Sequence, residues 1–389
     1  MFPALKKNSV SGRKLILKLV CARPLNGMKI LYAAFKYDYA DKRRGLSYEH
    51  VNFWDTLSRM YGNNAVYFPV DEKIMELGYA GMNKALLDAV EKKEPNILFC
   101  NLFTDEIQPK TIKYITEKTK TITVNWFSDD QWRFDNFSRF WAPLFDWIIT
   151  TDSEAPAKYK KIGYDNVIKT TWAANQHIYK PQKGDLKYDV SFIGKSHGNR
   201  KEMVAYLKTN GIKAQCWGQG WPNGRVSQEE MVKIFSQSKI NLNFTEVSTA
   251  KKDFKTLIKI FAKIFLRRGV NNTFHFSSPS IIWRNAVNFH LPRSHPQIKG
   301  RNFEVPACGG FLLTEPAEDL FNFYEYEKEI VVFNDLAELI EKITYYLSHE
   351  EERKKIAQAG YERTLKGHTW EKRFSEFFDI IQTGGKYRA

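Results

Sequence analysis

Between residues 28 and about 171, short apolar runs alternate with segments whose apolar positions recur every three or four residues. The runs at 29–34, 65–68, 96–100, 121–126, 147–150 and 167–171 read as strands, and 46–61, 79–93, 108–117 and 154–162 read as the helices between them. Alternation of this kind is the pattern of a doubly wound parallel sheet with helices on both faces. A second series follows the turn-rich stretch 179–184. Its strands fall at 189–193, 212–217, 240–244, 311–314 and 330–333, its helices at 199–209 and 228–237, and a helical tail runs from 335 to 381. The chain is therefore expected to be an α/β protein of two Rossmann-type domains, 28–180 and 181–368, with residues 369–389 as a final helix and tail. Parallel sheets bind ligands beyond the carboxyl ends of their strands, so two such domains in tandem imply a cleft with one wall on each.

The 389 residues suit two domains of ordinary size. Cys21, Cys100, Cys216 and Cys308 have neither disulfide nor metal-ligand spacing, which fits a reducing cytoplasm and packing roles. No apolar run approaches the roughly 18–20 residues that cross a bilayer. The net charge of +15 is uneven: residues 1–27 carry +6, and residues 247–298 carry +8 with Asp253 as their one acid. The body of the chain is close to neutral, with two basic attachments. The leader 1–27 is too interrupted for a signal-peptide core and reads as a start-site extension or a flexible arm.

The stretch QIKGRNFEVPACGGFLLTE, residues 297–315, carries the densest candidate chemistry. Lys299 and Arg301 fall at an expected helix start, Glu304 lies one turn further in, and Gly309 and Gly310 end the helix before a strand. A helix start with two cations can seat a pyrophosphate, and a carboxylate one turn on can accept ribose hydroxyls. The same spacing fits a helix and buried strand whose charges are solvated. Residues 194–200, GKSHGNR, follow a strand and precede a helix, so Lys195 and Arg200 are candidates for the same phosphates, or for a surface loop. Gly218 and Gly220, between two tryptophans, leave room for a base or serve a tight turn. On the opposite wall, NWFSDDQW at 125–132 places Asp129 and Asp130 after the fourth strand, where an acid could take a proton from an acceptor hydroxyl. A turn or helix cap fits the same pair. Trp132 is the aromatic most suited to stack on a sugar, while its neighbours read as core.

In order, VSFIGKSHGNR, CWGQGW, KINLNF, KGRNFEVPACGG and GYERTLKGHTWEKR resemble the CgeB-like (spore maturation protein CgeB) glycosyltransferases over roughly residues 28–381. The resemblance implies the GT-B fold, with two Rossmann-like domains facing across a cleft and the C-terminal helix crossing back. It implies a nucleotide-diphosphate sugar as donor, no other cofactor and no metal. Glu304 takes the ribose-binding role by this likeness, and Lys299 and Arg301 the diphosphate. Related retaining enzymes often have a second acid eight positions before that glutamate, where this chain has Pro296.

About fifty residues between KINLNF and QIKGRNF exceed the family pattern. Within 251–268 lysines and apolar residues recur on different faces, the pattern of a basic amphipathic helix that either packs on its own domain or lies on an anionic membrane. Nucleic acid is not an expected partner. The expected activity is transfer of a sugar to a hydroxyl of a glycan, lipid or protein, in the cytoplasm or peripherally at the inner membrane face. A sugar-nucleotide epimerase of the same architecture and a non-catalytic glycan- or membrane-binding scaffold are the rivals.

Overall fold

Ile30–Ala34 (β1), Ala65–Pro69 (β2), Ile97–Cys100 (β3), Ile122–Phe127 (β4), Trp147–Thr150 (β5) and Val167–Lys169 (β6) pair in parallel in the order β2-β1-β3-β4-β5-β6. The structure is a computed structural model that describes residues 27–245, 262, 264–287 and 296–384. The leader, Cys21 and most of the expected basic helix lie outside the described residues; the described end of that helix, Leu266–Arg268, is instead a strand. Strands covered on both faces are mostly apolar, and β1, β3 and β4 are buried throughout, with Thr123 and Asn125 of β4 hydrogen-bonded.

The second half has Tyr188–Ile193 (β7), Ala214–Trp217 (β8) and Ser238–Asn243 (β9). A small antiparallel hairpin, Leu266–Arg268 (β10) with Phe274–Phe276 (β11), precedes Leu312–Thr314 (β12) and Val331–Val332 (β13). Its parallel sheet runs β13-β12-β9-β7-β8. In each sheet the strand order reverses once, between β1 and β3 and between β7 and β9. Crevices open at such points beyond the carboxyl ends, and the candidate residues gather there.

Every expected strand is present within a few residues of its expected limits. The helices differ more. The one expected over 79–93 spans Val70–Lys93, broken at Gly78, whose φ of +70° interrupts the apolar period. Its first turn positions the loop after β1, because the Asp71 carboxylate accepts from the backbone N–H groups of Lys36 and Tyr37, each at 2.9 Å. The 46–61 segment is a π-turn, His50–Trp54, running into a helix, Asp55–Tyr61. Residues 130–144, where no element was expected, form short helical turns around the buried Phe134, Phe137 and Trp141. The tail is three helices, Leu336–Ser348, Glu350–Gly367 and Trp370–Thr383, the first and third capped by Asp335 and Thr369. The described cysteines, Cys100, Cys216 and Cys308, are free and buried.

The last helix crosses back to the first half. Trp370, Phe374, Phe377, Phe378 and Ile381 complete the apolar layer that covers one face of the first sheet. The Trp370 ring lies 4.4 Å from that of Phe53, and Ala174 and residues 368–370 exchange backbone hydrogen bonds of 3.0 Å. No helix among the described residues is long and apolar enough to cross a membrane. Trp370→Ala is expected to cost about 3–5 kcal/mol by removing a fully buried aromatic. Urea denaturation checks it, and a change under about 1 kcal/mol would mean that this helix only decorates the core.

Candidate active site

β7 and β9 end at the strand-order reversal of the second sheet, and the chain after β7 turns through Gly194. Three contacts clamp this loop: the Gly194 N–H donates to the Trp217 carbonyl (2.8 Å), Trp221 Nε1 donates to the Gly194 carbonyl (2.8 Å), and the Ser196 N–H donates to the Gln219 carbonyl (3.0 Å). Gly218, at φ +123°, lies against the Gly194 backbone so closely that a Cβ would run into its carbonyl. The helix Arg301–Ala307 delivers the next cation to the same place. Arg301 Nε donates to Asn243 Oδ1 (3.2 Å), and its guanidinium passes the backbone of Gly194.

A buried polar network sets that geometry. Asn243 Nδ2 donates to Asn302 Oδ1 (3.2 Å) and Thr314 Oγ1 (3.1 Å), while Asn302 Oδ1 also accepts from the Lys299 N–H (2.8 Å). Side-chain amides at the ends of β9 and of the helix thus hold the Lys299–Arg301 turn before any ligand arrives.

The result is a concentration of positive charge around His197. Burial, then the fields of Arg200, Lys195, Lys299 and Arg301, push this imidazole down to about 4, so it is neutral at pH 7. Burial likewise lowers Lys299 to about 8, with Asp129 opposing the shift and Arg301 and Arg200 adding to it. Arg301 is shifted downward by burial, with Glu304 as the largest opposing charge.

Glu304 is the acid one turn into the helix. Its carboxylate is only 3% exposed and is raised to about 7 by burial, against the pull of Arg301 and of hydrogen bonds from Tyr179 and Tyr48. Tyr179 Oη donates to Glu304 Oε1 at 3.0 Å. Tyr48 belongs to the first half, so Glu304 sits at the seam between the halves, covered by both phenols. A ligand can reach it only when these hydroxyls give way.

Across the seam, the carboxyl ends of β1, β3 and β4 surround a cavity of about 250 Å³. Tyr39, Tyr48, Glu49, Asn101, Asp129 and Arg133 are among its lining residues. Burial raises the Glu49 carboxyl, and the fields of Asp38 and Asp129 raise it further, so the acids facing this space repel one another. The two walls touch through Lys195, whose Nζ donates to Tyr39 Oη at 3.4 Å and lies 5.1 Å from the centre of that ring. Trp132 is exposed, with the Arg133 guanidinium 5.6 Å from its ring.

Residues 200–261 and 267–379 match the family model described as glycosyl transferase-like. Spore protein CgeB of Bacillus subtilis (strain 168) is 24% identical over 254 residues, covering 63% of this chain and 71% of that protein. Sucrose-phosphate synthase from Thermosynechococcus elongatus superposes with a TM-score of 0.57 at 10% identity, over 92% of this chain and 100% of that one. Anabaena HepE, solved in complex with UDP, gives 0.57 at 10% identity, over 90% of this chain and 100% of that one. The chain is CgeB-like and has the GT-B fold. The structural likenesses carry the fold alone; the sequence matches carry the likeness to CgeB and to glycosyl transferase-like proteins.

Within the GT-B frame the expected site residues separate into two groups. Lys195, Lys299, Arg301, Glu304 and Asp129 converge on the seam. Arg200 does not face it: it is 2% exposed, and its guanidinium donates to the carbonyls of Lys195 (3.0 Å) and Phe244 (2.7 Å), bracing the loop. Asp130 is also withdrawn, at 1% exposure, accepting from Thr150 (2.7 Å) and Tyr159 (2.9 Å), with its pKa raised by burial to about 6. Gly218, Gly309 and Gly310 act through backbone shape. Gly309 takes φ +68° after the helix, and a Cβ on Gly310 would press on the Phe235 carbonyl and Asn241 at 2.8 Å. The helix itself has seven residues, so side-chain cations rather than a long dipole supply the positive field. Tyr39, Tyr48, Glu49, Tyr179, His197 and Asn243 carry no role that sequence alone assigns; of these only His197 and Asn243 lie in the phrases that carry the family resemblance.

The buried Glu304 makes a pH prediction. Its carboxyl is raised from 4.5 to about 7, so the folded state holds its proton more tightly than the unfolded chain. The stability it contributes is fully present below about pH 4.5 and is lost as pH rises to about 7. Glu304→Gln, neutral throughout, should become the more stable of the two over that window, by up to about 3 kcal/mol. Denaturation midpoints at pH 4.5 and pH 7.5 check this; parallel curves for the two proteins would show that the carboxyl is solvated.

Proposed function

We propose that the protein transfers a sugar from a nucleotide-diphosphate donor to a hydroxyl of a glycan, lipid or protein acceptor. The observation that carries this reading is the convergence of Lys195, Lys299 and Arg301 on the crevice at the end of β7 and β9, around a histidine that burial and their charge keep neutral. Such a crevice favours a multiply charged anion that can displace few waters and meet several donors. The HepE structures contain UDP, and one contains UDP-glucose, which supports a nucleotide sugar as the anion.

In this reading Arg301 and Lys299 neutralise the diphosphate as the bond from the anomeric carbon to the phosphate oxygen breaks and its electron pair leaves with the nucleotide. Glu304 accepts ribose hydroxyls once Tyr48 and Tyr179 turn away. The acceptor enters the cavity of the first half, its oxygen forms the new bond to the anomeric carbon, and Glu49 or Asp129 receives the hydroxyl proton if the reaction inverts. The side-chain cations take the place that a divalent metal holds in other transferases, so turnover is expected to persist in EDTA. The reading places the enzyme in the cytoplasm, where nucleotide sugars are made.

Melting curves with UDP, GDP, ADP and their sugars test the donor. The matching nucleotide should stabilise the protein by about 3 kcal/mol at a hundred times its dissociation constant. Arg301→Ala should abolish that shift, and Asp130→Asn should retain it. Glu49→Gln or Asp129→Asn should keep the shift but lower kcat by about 10²- to 10⁴-fold in a transfer assay. Donor consumption that needs no acceptor and yields an isomeric sugar nucleotide would instead indicate an epimerase. No shift with any nucleotide would remove the proposal.

A further inference from the structure

Among the described residues of the insertion between β9 and β12, the largest apolar side chains stand out in solvent. Phe274 is 64% exposed, Phe276 80% and Trp283 72%, and Phe265 and Val287 are exposed as well. Along a strand, residues i and i+2 share a face and the one between them takes the other. In the β10–β11 hairpin this puts Phe274 and Phe276 together, with Leu266 opposite Phe276, and sends His275 to the far side. His275 is the side that meets the body: its ring stands edge-on to Tyr79, centroids 6.4 Å apart. The phenylalanine face is turned away from the protein.

The helix Pro279–Val287 repeats the arrangement. Trp283 and Val287, one turn apart, are exposed, while Arg284 turns inward to pair with Asp105 at 3.0 Å and to cover the Phe140 ring at 5.5 Å. Asn271 donates to the Met75 sulfur at 3.1 Å. Polar residues thus clamp the insertion to the first half while aromatic residues project from it. Met75, Leu77 and Phe140, exposed on the first-half segments that receive it, extend the apolar surface.

Isolated exposed apolar residues are ordinary, but a grouped set marks a surface that meets something. The charge of the segment says what. Residues 247–298 carry +8 in sequence. Projecting aromatic rings in a segment whose sequence carries a strong cationic excess match a bilayer with anionic headgroups, which seats rings at headgroup depth and attracts cations. A second copy of the chain would instead bring one +8 segment against another across a two-fold axis. We propose that the β10–β11 hairpin and the helix Pro279–Val287 dock the protein on an anionic lipid bilayer, with Phe274, Phe276 and Trp283 seated among the headgroups. This inference rests on the surface alone and stands independently of the donor site.

Flotation of the full chain with vesicles of phosphatidylcholine, alone or with about a third phosphatidylglycerol, tests it. The protein should float with the anionic vesicles, stay down with the neutral ones, and be released by salt. Phe274→Ser combined with Phe276→Ser should reduce partitioning about tenfold or more while leaving the melting temperature unchanged, because both side chains are in solvent. Trp283→Ser should weaken it as well. Failure to float with anionic vesicles overturns the proposal, and so does a double variant that floats like the parent. A concentration-dependent dimer in light scattering, lost in the double variant, would assign the surface to a second copy and also overturn it.

Discussion

Like charges forced together in one crevice repel, and the second half of this protein is built around that repulsion. Two unit charges about 4 Å apart interact by about 4 kcal/mol at the effective dielectric of a protein surface. Lys195, Lys299 and Arg301 share one crevice with Arg200 behind them, and burial together with the field they make holds His197 neutral. Glu304 offsets part of that field, yet burial raises its own carboxyl to about 7, so it is a weak counter-charge near neutrality. The fold tolerates the cluster because each member is tied to the scaffold: Arg301 to Asn243, Lys299 to Gln297, Lys195 to Tyr39, Arg200 to two backbone carbonyls. In the proposed reading, the favourable partner of this arrangement is the diphosphate of the donor.

The same ties make the two halves interdependent. Tyr39 and Tyr48 come from the loop and turn after β1, which Asp71 fixes from a neighbouring helix, and they reach Lys195 and Glu304 on the other half. Arg225 likewise reaches across to Asp38 at 3.0 Å. The Lys195 and Arg225 contacts are polar and partly exposed, individually weak and readily exchanged. The apolar contacts of Trp370 and its helix are of another kind, fully buried and continuous with the core of the first sheet. The structure therefore combines a permanent brace at the back with exchangeable contacts at the mouth, which is the mechanical condition for a cleft that opens to admit a ligand and closes over it.

The strand framework was legible because buried parallel strands leave unbroken apolar runs, as in ILYAA and ILFC. The cationic turn was legible too, because Lys299, Arg301 and Glu304 lie within one short phrase. Sequence misleads where chemistry depends on which way a side chain turns. Asp129 and Asp130 are adjacent and identical in sequence, but one enters the cavity and the other is drawn under Thr150 and Tyr159. Arg200 looked like a phosphate ligand, but the carbonyls of Lys195 in its own loop and of Phe244 after β9 claim it. Gly218, Gly309 and Gly310 satisfy backbone demands that sequence shows only as glycine. Glu49 lies 80 residues before Asp129 in the chain, and only the adjacency of β1, β3 and β4 brings the two to one cavity.

The seat of the diphosphate is the central claim, and a crystal structure with a bound nucleoside diphosphate measures it directly. Phosphate oxygens within hydrogen-bonding distance of Arg301 and Lys299, between the Gly194 turn and the start of the helix Arg301–Ala307, with Tyr48 displaced and ribose on Glu304, are the predicted result. A nucleotide bound elsewhere, with Glu304 still closed under Tyr48 and Tyr179, would contradict it.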